Sequence, residues 1–296
     1  MLTKKQFNVL DCIYENENIK SQKKISELLK ISIGAVNKTY RELDDLGYVN
    51  KFTITEKGYE ALEPYAVKRA VFLAAGMGER MIPITLNTPK PLVRVHGTRI
   101  IDRLIDASLA VGIKEIYIVR GYLGELFDQL LIKYPMIKFI DNPLYNQGNN
   151  ILSAVAAGNA IVNAYVLESD LLLMNPKLIK KYHYSSNVLG IPIEYSDDWC
   201  LHSQKGTVTG VSIGGEHCHQ LAGITYWNEY DGKRLVEHYK QVSNMPGGKE
   251  CFIESVHFDK FVDEYSVEIR ECTMEDVVEI DTFKELQEID SVYKVK

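Results

Sequence analysis

Ala70-Val71-Phe72-Leu73 runs without a polar break into Ala74-Ala75-Gly76-Met77-Gly78-Glu79-Arg80, an apolar segment that stops in a loop of small residues. Such a run predicts a strand buried on both faces, the kind found inside a parallel sheet covered by helices. Small side chains let a backbone approach phosphate oxygens, and glycines permit the turns that aim several N–H groups at one anion. Arg80 adds a planar fork of donors. Thr85 and then Thr88-Pro89-Lys90-Pro91-Leu92 follow, setting a further cation behind a stiff turn. These residues predict a site for a phosphorylated ligand, with Leu73, Ala74, Ala75, Gly76, Gly78 and Arg80 around it and Lys90 at its side. A dehydrogenase-type dinucleotide site is excluded, because Met81 stands where G-x-G-x-x-G requires its third glycine.

Beyond the loop, strand and helix patterns alternate. Asp102 to Ala110 predicts a helix, Glu115 to Val119 a second parallel strand, and Lys138 to Asn142 a third. A helix is expected to begin within Tyr145-Asn146-Gln147-Gly148-Asn149-Asn150-Ile151-Leu152-Ser153. Asn149 and Asn150 have two readings there: amides that hold a base, ribose or phosphate, or caps on the helix. Ala164-Tyr165-Val166-Leu167-Glu168-Ser169-Asp170 predicts a strand with acids two apart at its end, hence on one face. The mouth of a parallel sheet is where such folds bind ligands.

The first 66 residues follow another grammar. Phe7, Leu10, Ile13 and Tyr14 form one helical stripe; Ile25, Leu28 and Leu29 share the face of a second helix behind Ser21. Ser32 is placed to cap a third helix, Ile33 to Leu46, with Val36, Tyr40 and Leu43 inward and Gly47 as its stop. Tyr48 to Thr55 alternates like a strand, and Lys57-Gly58 predicts a turn. This order, with the ending Leu43-Asp44-Asp45-Leu46-Gly47-Tyr48-Val49, resembles the winged helix-turn-helix domains of bacterial regulators. The resemblance implies a third helix in the DNA major groove, with Asn37, Lys38 and Arg41 as DNA-binding candidates and Lys51 on the wing. The competing reading is protein contact or dimerisation, since this segment carries ten basic and ten acidic residues and so lacks a net attraction for phosphates.

Strand, L-A-A-G-x-G-x-R, Thr85 and P-K-P-L together resemble the signature of nucleotidyltransferases that join a nucleoside triphosphate to a sugar phosphate or choline phosphate. Arg120-Gly121-Tyr122, the Asn149-Asn150 pair, Asp198-Trp199-Cys200-Leu201, Gly223-Ile224-Thr225-Tyr226-Trp227 and Phe252-Ile253-Glu254 extend the likeness toward the bacterial choline-phosphate cytidylyltransferases, across essentially all of residues 68–296. The resemblance implies two domains. A winged helix over 1–66 would precede a Rossmann-like three-layer α/β/α nucleotidyltransferase domain over 67–296, with a mixed, mostly parallel sheet. It implies Mg²⁺ on Asp170 and on Asp281 of Glu279-Ile280-Asp281, with Glu168 in an outer position, and Lys90, Arg80 and Asp170 in catalysis.

The implied reaction moves CMP from CTP to phosphocholine, releasing pyrophosphate. Trp199, Trp227 and Phe258 would meet a quaternary ammonium with Glu254 as counter-charge; the alternative for both tryptophans is core packing. The likeness weakens at Val256-His257-Phe258, where the family carries Tyr-Trp, and a less aromatic pocket would favour 2-aminoethylphosphonate or phosphoethanolamine. A sugar 1-phosphate acceptor and a regulator that uses the domain only to sense a ligand are the remaining alternatives.

Composition narrows the partners. With 34 Lys and Arg against 40 Asp and Glu, the net charge of −6 excludes a surface coated for nucleic acid or anionic lipid. The chain has no apolar run long enough for a membrane span, no signal-peptide pattern at its start, and five scattered cysteines without a C-x-x-C pair. A reduced, cytoplasmic protein with no membrane partner is expected, and a homodimer is compatible with it. His217-Cys218-His219, beside Gly214-Gly215, is expected in a hairpin turn rather than at a metal.

Overall fold

The computed structural model describes residues 1–294. The chain divides into two compact units, Met1–Ala66 with Tyr182–Tyr184, and Val67–Lys181 with the chain from Ser185 onward. Tyr182–Tyr184 thus joins the first unit although it lies deep in the sequence of the second.

In the first unit, helices α1 (Lys4–Glu15), α2 (Gln22–Leu29) and α3 (Ile33–Asp45) begin on the side-chain caps Thr3, Ser21 and Ser32, each accepting from a backbone N–H three residues on. Phe7, Leu10, Ile13, Ile25, Val36, Tyr40 and Leu43 are buried together, whereas Leu28 faces outward. The strand expected over 48–55 is a tight hairpin, β1 (Val49–Asn50) and β2 (Thr53–Ile54), turning at Lys51 and Phe52, both at positive φ. Lys57-Gly58 is no turn. It lies in helix α4 (Glu56–Leu62), capped by Thr55, where a Cβ on Gly58 would stand 2.2 Å from the Tyr48 carbonyl oxygen. Glycine is there for close approach rather than for a bend. Tyr182 and Tyr184 complete the aromatic face formed by Phe7, Tyr14 and Tyr65.

The second unit is built on β3 (Arg69–Ala74). Its further elements are the hairpin β4 (Arg94–Val95) and β5 (Thr98–Arg99), helix α5 (Ile100–Ala110), β6 (Glu115–Arg120), β7 (Lys138–Asp141), α6 (Ile151–Ala157), β8 (Ala164–Glu168) and β9 (Leu171–Leu173). The long pair β10 (Asn187–Gln204) and β11 (Thr207–Trp227), α7 (Glu229–Ser243), α8 (Ile253–Ser255), β12 (Glu268–Glu271), β13 (Val277–Glu279) and α9 (Phe283–Ile289) follow. A seven-stranded sheet has the order β10-β12-β11-β8-β3-β6-β7; β8, β3, β6 and β7 are parallel, and β11 is antiparallel to β8.

Period-two alternation sends β3 side chains to two cores: Ala70, Phe72 and Ala74 pack with Ile101, Leu104 and Ile105 of α5, and Val71 packs with Ile151 of α6 and Leu235 of α7. Helices therefore cover both faces, as a parallel sheet requires. Because β6 lies on one side of β3 and β8 on the other, the crevice past the carboxyl end of β3 is a topological switch point. His217-Cys218-His219 lies inside β11, since the β10–β11 turn is made by Lys205 and Gly206. All five cysteines are free, with the Cys218 thiol on the Cys200 sulfur. Among the described residues no helix is long and apolar enough to cross a membrane.

Candidate active site

A cleft of about 470 Å³ opens at that switch point, lined by residues 73–80, Lys90, Asn149, Asn150, Glu168, Asp170 and Asp281 among others. Its volume is that of a small-molecule site. The loop is fixed from several sides. Tyr122 N–H donates to the Ala75 carbonyl at 3.1 Å, Ser169 donates to the Leu73 carbonyl at 2.6 Å, and Thr85 donates to the Gly78 carbonyl at 2.8 Å. Gly78 sits at φ +63, where a Cβ would stand 3.0 Å from Thr85 Cγ2 and 3.3 Å from Lys90 Cβ, so the loop closes tightly onto Lys90.

Pairing of β13 with β9 brings the distant Glu279-Ile280-Asp281 segment beside Asp170, with Glu279 opposite Leu171. Carboxylate oxygens of Glu168, Asp170 and Glu279 then all lie within 4.8 Å of one another. Lys90 is buried against this group and donates to Asp170 at 2.8 Å and to Asp281 at 3.0 Å. Arg80, itself exposed, reaches the same Asp281 oxygen at 2.7 Å. Burial alone would lower the Lys90 pKa, but Asp170 and Asp281 outweigh it and hold the ammonium charged. Asp281 is likewise kept below the ordinary carboxylate value, burial being offset by Lys90 and Arg80.

For Glu168 and Glu279 the pull of Lys90 is outweighed. Burial and the neighbouring carboxylates push Glu168 well above the ordinary value, and burial with Asp170 and Asp281 pushes Glu279 up to about 8. Asp170 Oδ1 is buried without a hydrogen-bond partner among the described residues. A crowd of hard oxygen donors with an orphaned buried oxygen fits a divalent cation of the Mg²⁺ type.

The structure thus brings Leu73, Ala74, Ala75, Gly76, Gly78, Arg80, Lys90, Asn149, Asn150, Asp170 and Asp281 to one cleft. It gathers the carboxylates of Glu168 and Glu279 with that of Asp170, while Asp281 meets Lys90 and Arg80. Glu279 escaped the sequence reading. Its signal is the same two-residue spacing used for Glu168 and Asp170, repeated in Glu279-Ile280-Asp281. Asn150 does not cap α6 with its side chain: its amide oxygen accepts from Ile253 N–H at 2.9 Å and its amide nitrogen donates to Glu254 at 3.4 Å.

The acceptor candidates separate. Glu254 is buried on α8 beside a second, small cavity that adjoins the cleft, since Leu73 and Glu168 line both. Phe258 lines that cavity too. Trp227 does not: it is fully buried, its indole N–H donates to Thr225 at 2.9 Å, and its ring packs on His257, Phe258 and Tyr265. Its role is core packing. Trp199 is half-buried at a register shift in β10 and meets Phe252 edge-on at 5.6 Å, and it lines neither cavity. In the first unit Lys38 and Arg41 are exposed on α3, whereas Asn37 is half-buried and donates to Gln22 at 2.9 Å.

Residues 70–193 match the model of the MobA-like NTP transferase domain, and residues 2–56 match that of the MarR family. The chain is 29% identical over 228 residues to a 2-aminoethylphosphonate cytidylyltransferase of Lancefieldella rimae, covering 76% of this chain and 92% of that protein. It is 25% identical to a choline-phosphate cytidylyltransferase of Streptococcus pneumoniae over 76% of this chain and 98% of the relative. The solved structure of a CTP:phosphocholine cytidylyltransferase from Streptococcus pneumoniae superposes with a TM-score of 0.71 at 26% identity, over 77% of this chain and all of that one.

Proposed function

From a chain that joins a winged helix of the MarR family to a MobA-like NTP transferase domain, we propose an enzyme that transfers CMP from CTP to a small phosphorylated or phosphonylated amine, with release of pyrophosphate. The observation that carries this reading is Lys90, held by Asp170 and Asp281 at the floor of a cleft rimmed by the glycine loop. The choice of cytidine and of an amine acceptor leans on the relatives that act on 2-aminoethylphosphonate and choline phosphate.

An oxygen of the acceptor's phosphate or phosphonate attacks the α-phosphorus of CTP, and the bond to the bridging oxygen breaks as pyrophosphate departs. The acceptor is already an anion at neutral pH, so the step needs no strong general base. What it needs is alignment and relief of repulsion between two anions. The loop N–H groups and Arg80 hold the departing phosphates, and Lys90, released from a carboxylate, moves its charge to the reacting oxygens. Asp170, with Glu168 and Glu279 and with Asp281 close by, would hold Mg²⁺. That ion, when bound, offsets triphosphate charge and draws electron density from the α-phosphorus.

Pyrophosphate release with Mg²⁺, crossing CTP and UTP against phosphocholine, phosphoethanolamine, 2-aminoethylphosphonate and glucose 1-phosphate, tests the reading. Turnover with CTP and an amine is expected; turnover confined to the sugar phosphate overturns it. The MarR-type unit supports a second role in DNA binding, through Lys38 and Arg41 on α3 and Lys51 at the wing tip. Salt-dependent retention of duplex DNA that weakens on Arg41→Ala is the outcome expected for it.

A further inference from the structure

Beside the cleft lies a small cavity of about 10 Å³, walled by Val166, Leu221 and Phe258 and reached by Glu254 and His257. Glu254 is buried, and among the described residues no cation pairs with it; its one side-chain partner is the Asn150 amide at 3.4 Å. His257 is 1% exposed, and its Nε2 has no hydrogen-bond partner among the described residues. Two buried polar groups without their natural partners, facing one cavity, mark a place completed by a ligand. We propose that this cavity is a subsite for a primary ammonium group, with Glu254 as counter-charge and His257 Nε2 accepting one of its N–H bonds. The proposal rests on the reading of the main cleft as a CTP-dependent transferase and names the acceptor class for it.

Size and hydrogen bonding both discriminate. The cavity has the room of one water-sized group, which suits –NH₃⁺, while a trimethylammonium carries three methyl groups and has no N–H to offer. His257 is equipped to accept. Burial pushes its pKa down to about 3, so the ring is neutral; Nδ1 lies 2.9 Å from the Tyr239 hydroxyl, and in the tautomer that carries its proton on Nδ1 the lone pair of Nε2 is free for the ammonium. Glu168 lines both spaces, which sets the cavity next to the carboxylates that would hold the metal.

The test uses the unaltered protein first. With CTP and Mg²⁺, kcat/KM is measured for phosphoethanolamine, its N-methyl and N,N-dimethyl forms, and phosphocholine. A stepwise fall is expected, about tenfold or more across the series and carried by KM. A flat or rising series overturns the subsite while leaving CTP-dependent transfer intact; turnover with glucose 1-phosphate alone removes both readings. His257→Phe, which fills the cavity, should cost phosphoethanolamine about tenfold or more in KM and phosphocholine far less, with partial rescue by His257→Gln, which keeps an acceptor. Equal losses for both acceptors would make His257 a packing residue and refute the assignment.

Discussion

The two ends of the site solve opposite electrostatic problems. At the loop end, Lys90 and Arg80 are already paired with Asp170 and Asp281. At the acceptor end, Glu254 is buried with no cation paired to it among the described residues, and burial with Asp198 nearby pushes its pKa up to about 7 although Asn150 opposes the shift. The first end is charge-balanced before substrate arrives and has to be opened; the second is left unbalanced and is completed by what binds. Recognition of the triphosphate and recognition of the acceptor are therefore separable by mutation.

The largest effect is expected where the balance is densest. Lys90→Ala removes the cation that spans Asp170 and Asp281, and kcat/KM for CTP should fall by about 10²–10³ for any acceptor. Steady-state kinetics check this, and a loss confined to one acceptor would erase the division between the ends. At the other end, Glu254→Gln keeps the shape and removes the charge. KM for an amine acceptor should rise by about ten- to a hundredfold while KM for CTP stays put. If KM for CTP rose equally, Glu254 would belong to the nucleotide side.

A subtler difference concerns protons. Glu279 ionises at about 8 in the fold against an ordinary value of 4.5, and Glu168 is displaced in the same direction. Folded protein therefore holds protons that the unfolded chain has released, so without a divalent ion stability should decline as pH rises from 4.5 to about 8. Thermal unfolding in EDTA tests this; added Mg²⁺ should raise the midpoint more at the alkaline end, where it competes with fewer protons. A Mg²⁺ effect independent of pH would argue against the Glu168–Asp170–Glu279 group as its ligands.

The ends also differ in how far sequence alone reveals them. The loop end is written in one stretch, because strand, glycines, Arg80 and Lys90 all fall within 22 residues and act largely through backbone geometry. Its distant part is reached only through the family likeness of Glu279-Ile280-Asp281, which points to Asp281 and passes over Glu279, because their separate positions depend on the β9–β13 pairing. The acceptor end is assembled from β8, β11 and α8, and no local pattern says which aromatic faces a cavity. Trp199 looks the better suited of the two tryptophans to a cation in the sequence, yet Trp227, on the same face of β11 as the cavity-lining Leu221 and Thr225, is sealed beyond them by His257, Phe258 and Tyr265, and the shift between Ser196 and Trp199 turns the other aside. His257 stands out only as part of Val256-His257-Phe258, where the likeness weakens; its orphaned nitrogen is a property of packing. In the first unit, Gly58 was misleading for a similar reason: its cause is the Tyr48 backbone beside α4.

Trp199 supplies the smallest expected effect and the finest test. Its ring meets Phe252 edge-on at 5.6 Å and its backbone N–H donates to Asp198 at 2.7 Å. Trp199→Ala should cost about 0.5–1.5 kcal/mol of stability from the lost ring pair and should shift the ratio of kcat/KM between phosphoethanolamine and phosphocholine by less than about threefold. Truncating a cage wall would act otherwise, lowering phosphocholine turnover selectively, because a quaternary ammonium has no N–H to donate and leans on aromatic faces, while a primary one retains its hydrogen bonds. Such a selective loss would move the acceptor's cation from the Glu254–His257 cavity to the Trp199–Phe252 face. The acceptor end would then be an aromatic surface in place of a small cavity with buried polar groups, and its contrast with the loop end would be one of apolar contact against charge.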